Sequence, residues 1–466
     1  MTQKHRRLTH PDWSPDVRAG INALLDTYGL DGEKYRPDTY AVFDFDNTCS
    51  VFDVEEQLAV YQLQTMRFAI RPEELSSVLL SEIPAANVPR YADWLADITA
   101  SYVRLWSDYG PFTAAGVDAE KQKTMNNDPW WMEFAAKMRA LYDEICHQED
   151  PRVTDAWITY WFTGMTEQQV YALAEASHRH YAGMDTAAVL WESPRTLPTR
   201  LGTVSCRWMR GVQVPEAIRE LWSTLKDNGI HVWVCSASFT DVIRAAVDVW
   251  GLHEYCAGVL AMTDKRDGNG IYISEYDEEN GCGWLARENG TWERMKAPTK
   301  ARTNGTGKVL AIANAVAPRY GGHGPIAGFM DSAGDFAFCT EFSTLKTVVC
   351  FNRAARGAED GGGLIAALAL YQRDGLGLTL ADTDAAGDTL YLLQGRDENG
   401  KRTLRPFNSS LVYGEGERCF KNGDSEDLIR LMTEQKMTAA QVINSFTEKN
   451  RQNGLLSGCG GYHSHL

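Results

Sequence analysis

The chain holds 466 residues, 44% hydrophobic and 11% aromatic, with 46 basic against 62 acidic side chains and a formal net charge of −16. That length carries a large core divided over two or three structural units. The acidic balance argues against a nucleic-acid or anionic-membrane partner, yet leaves an anionic substrate open, because a bound cation can dominate locally.

No apolar run is long enough to span a bilayer, and no apolar signal segment follows the basic start Lys4 to Arg7. As it stands the sequence predicts a cytoplasmic protein, or an extracytoplasmic one if a leader was removed. Its ten cysteines are scattered without a CxxC pair, which fits free buried thiols better than a disulfide frame, although the even count leaves pairing open. Residues 1–37 predict a helical segment on the core, with an amphipathic run from Val17 to Tyr28. The stretch Tyr40-Ala41-Val42-Phe43-Asp44-Phe45-Asp46-Asn47-Thr48 is an apolar strand that ends in two carboxylates, an amide and a hydroxyl. Side chains at i and i+2 of an extended segment point the same way, so Asp44 and Asp46 converge close enough to share a cation. Taken alone, a strand end with an Asx-type turn has the same appearance. Asp53 then caps a helix, with Glu56 placed for a capping box and Val54, Leu58 and Tyr61 at helical spacing.

From 67 to 204 the pattern turns helical, interrupted by prolines and dense in large aromatics. It reads as a helical domain inserted into an α/β domain that occupies 38–66 and 205–415. Pro215 starts a helix with Ile218, Leu221, Trp222 and Leu225 on one face, ended by Gly229. A strand from Ile230 to Cys235 stops at Ser236-Ala237-Ser238, and Thr240 or Asp241 opens the next helix. Residues 259–292 predict two hairpins, turning at Asp267-Gly268-Asn269-Gly270 and Asn289-Gly290. Lys308 opens an apolar helix, and the strand Ile326 to Met330 ends at Asp331-Ser332-Ala333-Gly334-Asp335. One more buried strand, Leu345 to Phe351, precedes a Gly-rich link at 361–363 and a hairpin near 397–400. Residues 416–466 predict two helices and a mobile Gly/His tail, whose His463 and His465 lack further partners for a metal site.

Three strands thus end in polar clusters, and in an open parallel sheet ligands sit beyond the carboxyl ends of the strands. Metal-assisted phosphoryl transfer needs a nucleophile, an acid/base, an oxygen-rich cation site and a fixed positive charge. Asp44 suits the nucleophile, Asp46 the acid/base and Asp331 a third carboxylate for Mg²⁺; Ser236 and Lys308 suit phosphate binding. Ser236 also fits an ordinary helix N-cap. Gly305-Thr306-Gly307-Lys308 hints at a P-loop, but Arg302 and Val309 break that pattern.

The four stretches, in this order, resemble the motifs of the haloacid dehalogenase (HAD) superfamily of phosphatases. Phe43-Asp44-Phe45-Asp46-Asn47-Thr48 matches its DxDxT motif, Ser236 the second, Lys308 the third and Asp331-Ser332-Ala333-Gly334-Asp335 the DxxxD fourth. The resemblance implies a Rossmann-like doubly wound core, Mg²⁺ held by Asp44, Asp46 (through its carbonyl) and Asp331, and an aspartyl-phosphate intermediate on Asp44. It implies phosphate contacts from Ser236, Lys308 and Asn47, with Asp335 holding Lys308 or a metal-bound water. Met330 departs from the Gly that many members carry there. The insert falls where the family places a specificity-setting cap, and Trp157 to Thr166 resembles a segment of bacterial phosphorylcholine phosphatases. Trp130, Trp131, Tyr142, Glu144, Trp157 and Trp161 are candidates for a cage around a trimethylammonium head, although aromatics at helical spacing more often pack a core. The expected substrate is a small phosphorylated metabolite, phosphocholine or a related amine phosphate. The alternatives are phosphoserine or phosphoethanolamine, or a non-catalytic binding protein that keeps the fold.

Overall fold

A computed structural model describes residues 6–279, 281–400, 403–421, 424–454, 456 and 458–465. Its centre is a sheet of six parallel strands: β1 (Tyr40–Phe43), β2 (His231–Phe239), β3 (Cys256–Met262), β4 (Ala327–Met330), β5 (Thr347–Asn352) and β6 (Leu390–Asp397). They lie in the order β6-β5-β4-β1-β2-β3. Cys282–Ala286 and Trp292–Arg294 extend the β3 edge, and Ser410–Val412 and Gly416–Arg418 the β6 edge. Strands covered on both faces read as continuous apolar runs. Ala41 and Phe43 join one apolar cluster with the helices Pro15–Tyr28, Glu216–Asp227 and Thr240–Val249; Tyr40 and Val42 join another with Thr306–Ala311 and Gly361–Leu370. The architecture is therefore the doubly wound α/β sheet that the sequence pattern predicts.

The chain leaves β1 for β2 and β3 on one side, then returns to lay β4, β5 and β6 on the other. Connections from the neighbours β1 and β4 thus diverge, and such a switch point opens a crevice at the carboxyl ends of the strands. Asp44 and Asp331 are the first residues past those two ends.

Local structure departs from the sequence reading in three places. The strand expected to stop at Cys235 continues to Phe239, with its register against β3 shifting between Cys235 and Phe239. The extra residues of such a bulge re-aim side chains, so Ser236 and Ser238 lie on the strand, and the following helix has Phe239 at its cap with no side-chain cap bond. The glycines 361–363 begin a helix instead of a link, capped by Asp360, whose carboxylate accepts from the Gly362 N–H. A Cβ at Gly362 would lie 2.8 Å from the Asp331 carbonyl oxygen, so the helix start is pressed against the turn that carries Asp331. The described tail is tied down rather than loose. His463 and His465 donate backbone N–H bonds to the carbonyls of Thr340 and Glu341, and the His463 ring meets the Thr389 hydroxyl at 2.9 Å.

Between β1 and β2 the chain is mostly helical, its longest helices being Ala92–Tyr109, Pro129–Gln148 and Glu167–Tyr181. This helical region joins the same cluster as one face of the sheet, through Phe68, Tyr102, Phe134, Trp157 and Trp161. A buried ion triad runs through this packing, with Lys137 bonded to Asp97 at 2.9 Å and paired with Glu133 one turn away. Among the described residues no helix is long and apolar enough to cross a membrane, and the described cysteine side chains are free thiols.

Candidate active site

Asp44 still belongs to the ladder through its N–H bond to the Phe329 carbonyl, at 3.0 Å, which fixes the nucleophile candidate at the sheet's edge. Its Oδ1 accepts from Lys308 Nζ at 2.7 Å, and the same ammonium donates to Asp335 Oδ1 at 2.5 Å. All three side chains are buried. Lys308 reaches them because its loop lies backbone to backbone against the Asp335 turn: the Gly305 N–H donates to the Gly334 carbonyl at 2.8 Å, and a Cβ on Gly334 would sit 2.6 Å from Asn304 Oδ1. Burial alone would push the Lys308 ammonium down, but Asp335 and Asp44 outweigh it and hold the group charged.

Asp331, past the end of β4, accepts at Oδ2 from Arg353 Nη1 (3.1 Å) and at Oδ1 from the Thr48 hydroxyl (3.4 Å). Asp335 Oδ2 accepts the N–H groups of Asp331 and Ser332 at 3.4 and 3.3 Å, folding the turn onto itself. Asp44, Asp331 and Asp335 each offer an oxygen, all within 4.8 Å of one another. Three buried carboxylates at that spacing suit a hard divalent cation. Burial first, then the neighbouring carboxylates, push Asp44 well above its usual range, and burial raises Asp331 against the pull of Arg353. A bound cation relieves such crowding directly. Met330 does not disturb the turn; its side chain is buried in the core behind it.

The Asp46 carboxylate is held apart from this group. Its Oδ1 accepts the Val54 N–H at 2.6 Å and its Oδ2 accepts the Ser238 hydroxyl at 2.7 Å. Burial and then Asp53 raise it well above the usual carboxylate range, with Val54 and Ser238 opposing. Such a carboxyl is suited to donating and recovering a proton. Ser236 is buried, and its Oγ accepts from the Ser238 N–H at 3.1 Å. Asn47 adopts a left-handed φ of 62°, and its carbonyl and Oδ1 accept from Arg396 at 3.0 and 3.2 Å. Arg396 is itself buried and paired with Glu398.

These loops enclose a cavity of about 160 Å³ lined by Asp44, Asp46, Asn47, Asp53, Ser236, Ser238, Asn304, Lys308, Asp331, Asp335 and Arg353, among others. The candidates read from the strand ends therefore meet in one place. The sequence places Ser238 in one polar cluster with Ser236 without giving it a role, and it assigns Arg353, Arg396 and Asn304 nothing at this site.

The six aromatic and acidic candidates of the helical insert fare differently, since none lines this cavity. Trp131, Trp157 and Trp161 are buried in the core, and the indole N–H groups of Trp131 and Trp157 donate to the carbonyls of Leu63 and Leu79. They pack the insert, as large aromatics at helical spacing commonly do. Trp130 and Glu144 are partly exposed on the helix Pro129–Gln148. Tyr142 stacks on Trp157, and burial first, then Glu56, pushes its hydroxyl well above the usual range. Asp53 and Asn304 form the cavity's rim, with Glu55 and Asp155 behind them. Glu55 accepts the Phe239 N–H at 2.8 Å and Asp155 accepts from Asn304 at 2.7 Å. Burial, then neighbouring carboxylates, raises Asp53 to about 7 and Glu55 to about 8.

No protein-family model matches the chain, and no curated protein sequence is significantly similar to it. Among solved structures, a functionally unknown protein from Anaerococcus prevotii DSM 20548 is similar over 89% of this chain and 100% of its own, with 24% identity and a TM-score of 0.68. A protein of unknown function from Bordetella pertussis Tohama I (11% identity, TM-score 0.29, 67% of this chain and 89% of its own) overlaps far less. So does cytosolic 5'-nucleotidase IIIB bound to cytidine (12% identity, TM-score 0.28, 74% and 82%). Likeness at the level of the last two bears on neither fold nor function. The Anaerococcus likeness extends to the fold.

Proposed function

We propose that this chain is a Mg²⁺-dependent phosphomonoesterase of the HAD superfamily, with residues 67–204 as its cap. The observation that carries the reading is Lys308 bridging Asp44 and Asp335, with Asp331 close enough to share a cation and Asp46 held separately by Val54 and Ser238. Asp44 and Asp331 would hold the ion, with the Asp46 carbonyl as the resemblance implies and Asp335 within reach while it holds Lys308; the ion's contribution is to neutralise the phosphoryl oxygens and the nucleophile's own charge.

Asp44 attacks phosphorus, forming an acyl phosphate as the ester P–O bond breaks. Asp46, entering protonated, gives its proton to the departing oxygen. The resulting carboxylate then takes a proton from the water that cleaves the acyl phosphate, which releases inorganic phosphate and restores both aspartates. Lys308 keeps Asp44 aimed, and Ser236 is placed to hydrogen-bond a phosphoryl oxygen.

A small amine phosphate, phosphocholine first, is the substrate that the rim favours. Asp53 lines the cavity, and Glu55 and Glu56 follow it in the first turn of the same helix, supplying carboxylates for a cationic head. The deciding experiment measures phosphate release from phosphocholine, phosphoethanolamine, phosphoserine and an aryl phosphate, with and without Mg²⁺. Release is expected to need the metal, to favour the quaternary amine and to vanish in Asp44→Asn. Folded protein that turns over none of the panel and binds no Mg²⁺ would overturn the reading.

A further inference from the structure

Lys308 is largely committed to the protein itself, with two of its three N–H donors on Asp44 and Asp335 and only 1% of the residue exposed. The cavity holds a second cation with more to offer. Arg353 follows β5 directly and lines the cavity with Asp44, Ser236 and Lys308; its side chain is 33% exposed. One of its five N–H donors goes to Asp331 Oδ2.

The backbone around Arg353 is pinned on both sides. Asn352 Oδ1 accepts the Ala354 N–H at 2.8 Å, closing a tight turn about Arg353 in which Ala354 takes a left-handed φ of 52°. Asn352 Nδ2 donates to the carbonyls of Asn408 and Cys419 at 2.8 and 3.1 Å, tying that turn to the far edge of the sheet. A strained, cross-braced turn that presents one half-open guanidinium to a cavity of carboxylates calls for more than surface charge.

We propose that Arg353 is a phosphoryl-binding residue of this site. The inference rests on the phosphomonoesterase reading above. Lys308 and Arg353 are the two cations of the cavity lining, and of the two Arg353 keeps more donors beyond its carboxylate partner for a phosphoryl dianion. The planar guanidinium fork also matches a pair of phosphoryl oxygens, which a lysine cannot do.

Calorimetric titration with inorganic phosphate at saturating Mg²⁺ tests this on the wild type, Arg353→Lys and Arg353→Met, with Mg²⁺ binding measured separately. Loss of a charged hydrogen-bonding partner predicts phosphate binding weaker by about 10- to 100-fold in Arg353→Met. Arg353→Lys is expected to fall in between and Mg²⁺ affinity to stay within about threefold. Unchanged phosphate affinity in Arg353→Met would overturn the inference. So would a loss matched by Mg²⁺ affinity, because Arg353 would then only orient Asp331. Wild-type protein that takes up Mg²⁺ but no phosphate would sink the phosphomonoesterase reading itself. If thermal unfolding shows Arg353→Met to be misfolded, Arg353→Lys decides alone, with a several-fold weakening expected and none refuting.

Discussion

His178 makes the contact between the helical insert and the core sensitive to acid. It sits on the helix Glu167–Tyr181, fully buried, with Nε2 against the Val242 carbonyl at 3.0 Å and its ring 5.2 Å from that of Trp250. A carbonyl only accepts, so Nε2 carries the proton, and among the described residues Nδ1 has no partner. A second proton would therefore be buried without an acceptor, and burial lowers the group to about 4 from the ordinary 6.5. The sign follows from linkage. Below pH 6.5 the unfolded chain takes up a proton that the folded chain refuses until about pH 4, so stability falls across that window. At 1.36 kcal/mol for each unit, the loss amounts to about 3 kcal/mol. Chemical denaturation at pH 7.5, 6, 5 and 4 measures it, with His178→Leu as the comparison. The variant should lose about 1 kcal/mol at pH 7.5 with the Val242 hydrogen bond, yet decline about 3 kcal/mol less on the way to pH 4. Parallel curves for the two proteins would refute the reasoning.

Two further expectations test the proposed function, one at Asp46 and one at Glu55. Ser238→Ala removes the hydroxyl that holds Asp46 Oδ2; turnover should fall about 10- to 100-fold while Mg²⁺ affinity and melting temperature stay close to wild type, as a charged hydrogen bond of about 1.5–3 kcal/mol implies, and unchanged kcat would remove Ser238 from the machinery. Glu55, raised to about 8, is neutral below that pH and anionic above it, so KM for phosphocholine should drop as pH rises from 7 to 9 and lose this dependence in Glu55→Gln; a slope that persists in the variant would show that another group sets it.

How far the sequence could be read depended on whether the signal was local. Asp44, Asp46, Ser236, Lys308 and Asp331 stand where apolar runs break off, and that much is visible without a fold. Arg396 is different. It reaches Asn47 because β6 lies three strands from β1 in the same sheet, and nothing near residue 396 announces that order. Arg353 was likewise hidden, because its meaning comes from Asp331 on the adjacent strand. The tryptophans misled in the opposite direction. Their density in the insert reflects a helical layer that fills its own core, and an indole whose faces are packed into that core is closed to a ligand. The glycines at 361–363 read as a link because glycine disfavours helices, while their actual requirement is close approach to the Asp331 turn.

For the proposed phosphomonoesterase, the net charge of −16 is at first sight unfavourable, and the arrangement of charge within the site resolves the difficulty. The floor pairs its carboxylates with Lys308 and Arg353 and leaves room for a divalent ion, so it is the positive end once that ion is in place. The rim, with Asp53 in the lining and Glu55 behind it, becomes the negative end as pH rises through about 7 and then about 8, where these two carboxyls lose their protons. A field of that polarity turns a zwitterion so that its phosphate leads and its ammonium trails. It disfavours esters whose second group is also anionic, since their carboxylate would have to rest among the rim's carboxylates. Phosphocholine and phosphoethanolamine satisfy both ends, whereas phosphoserine satisfies only part of the rim. Under the proposed function, discrimination between these substrates therefore resides in the helix start from Asp53 to Glu56, rather than in the tryptophans buried deeper in the insert.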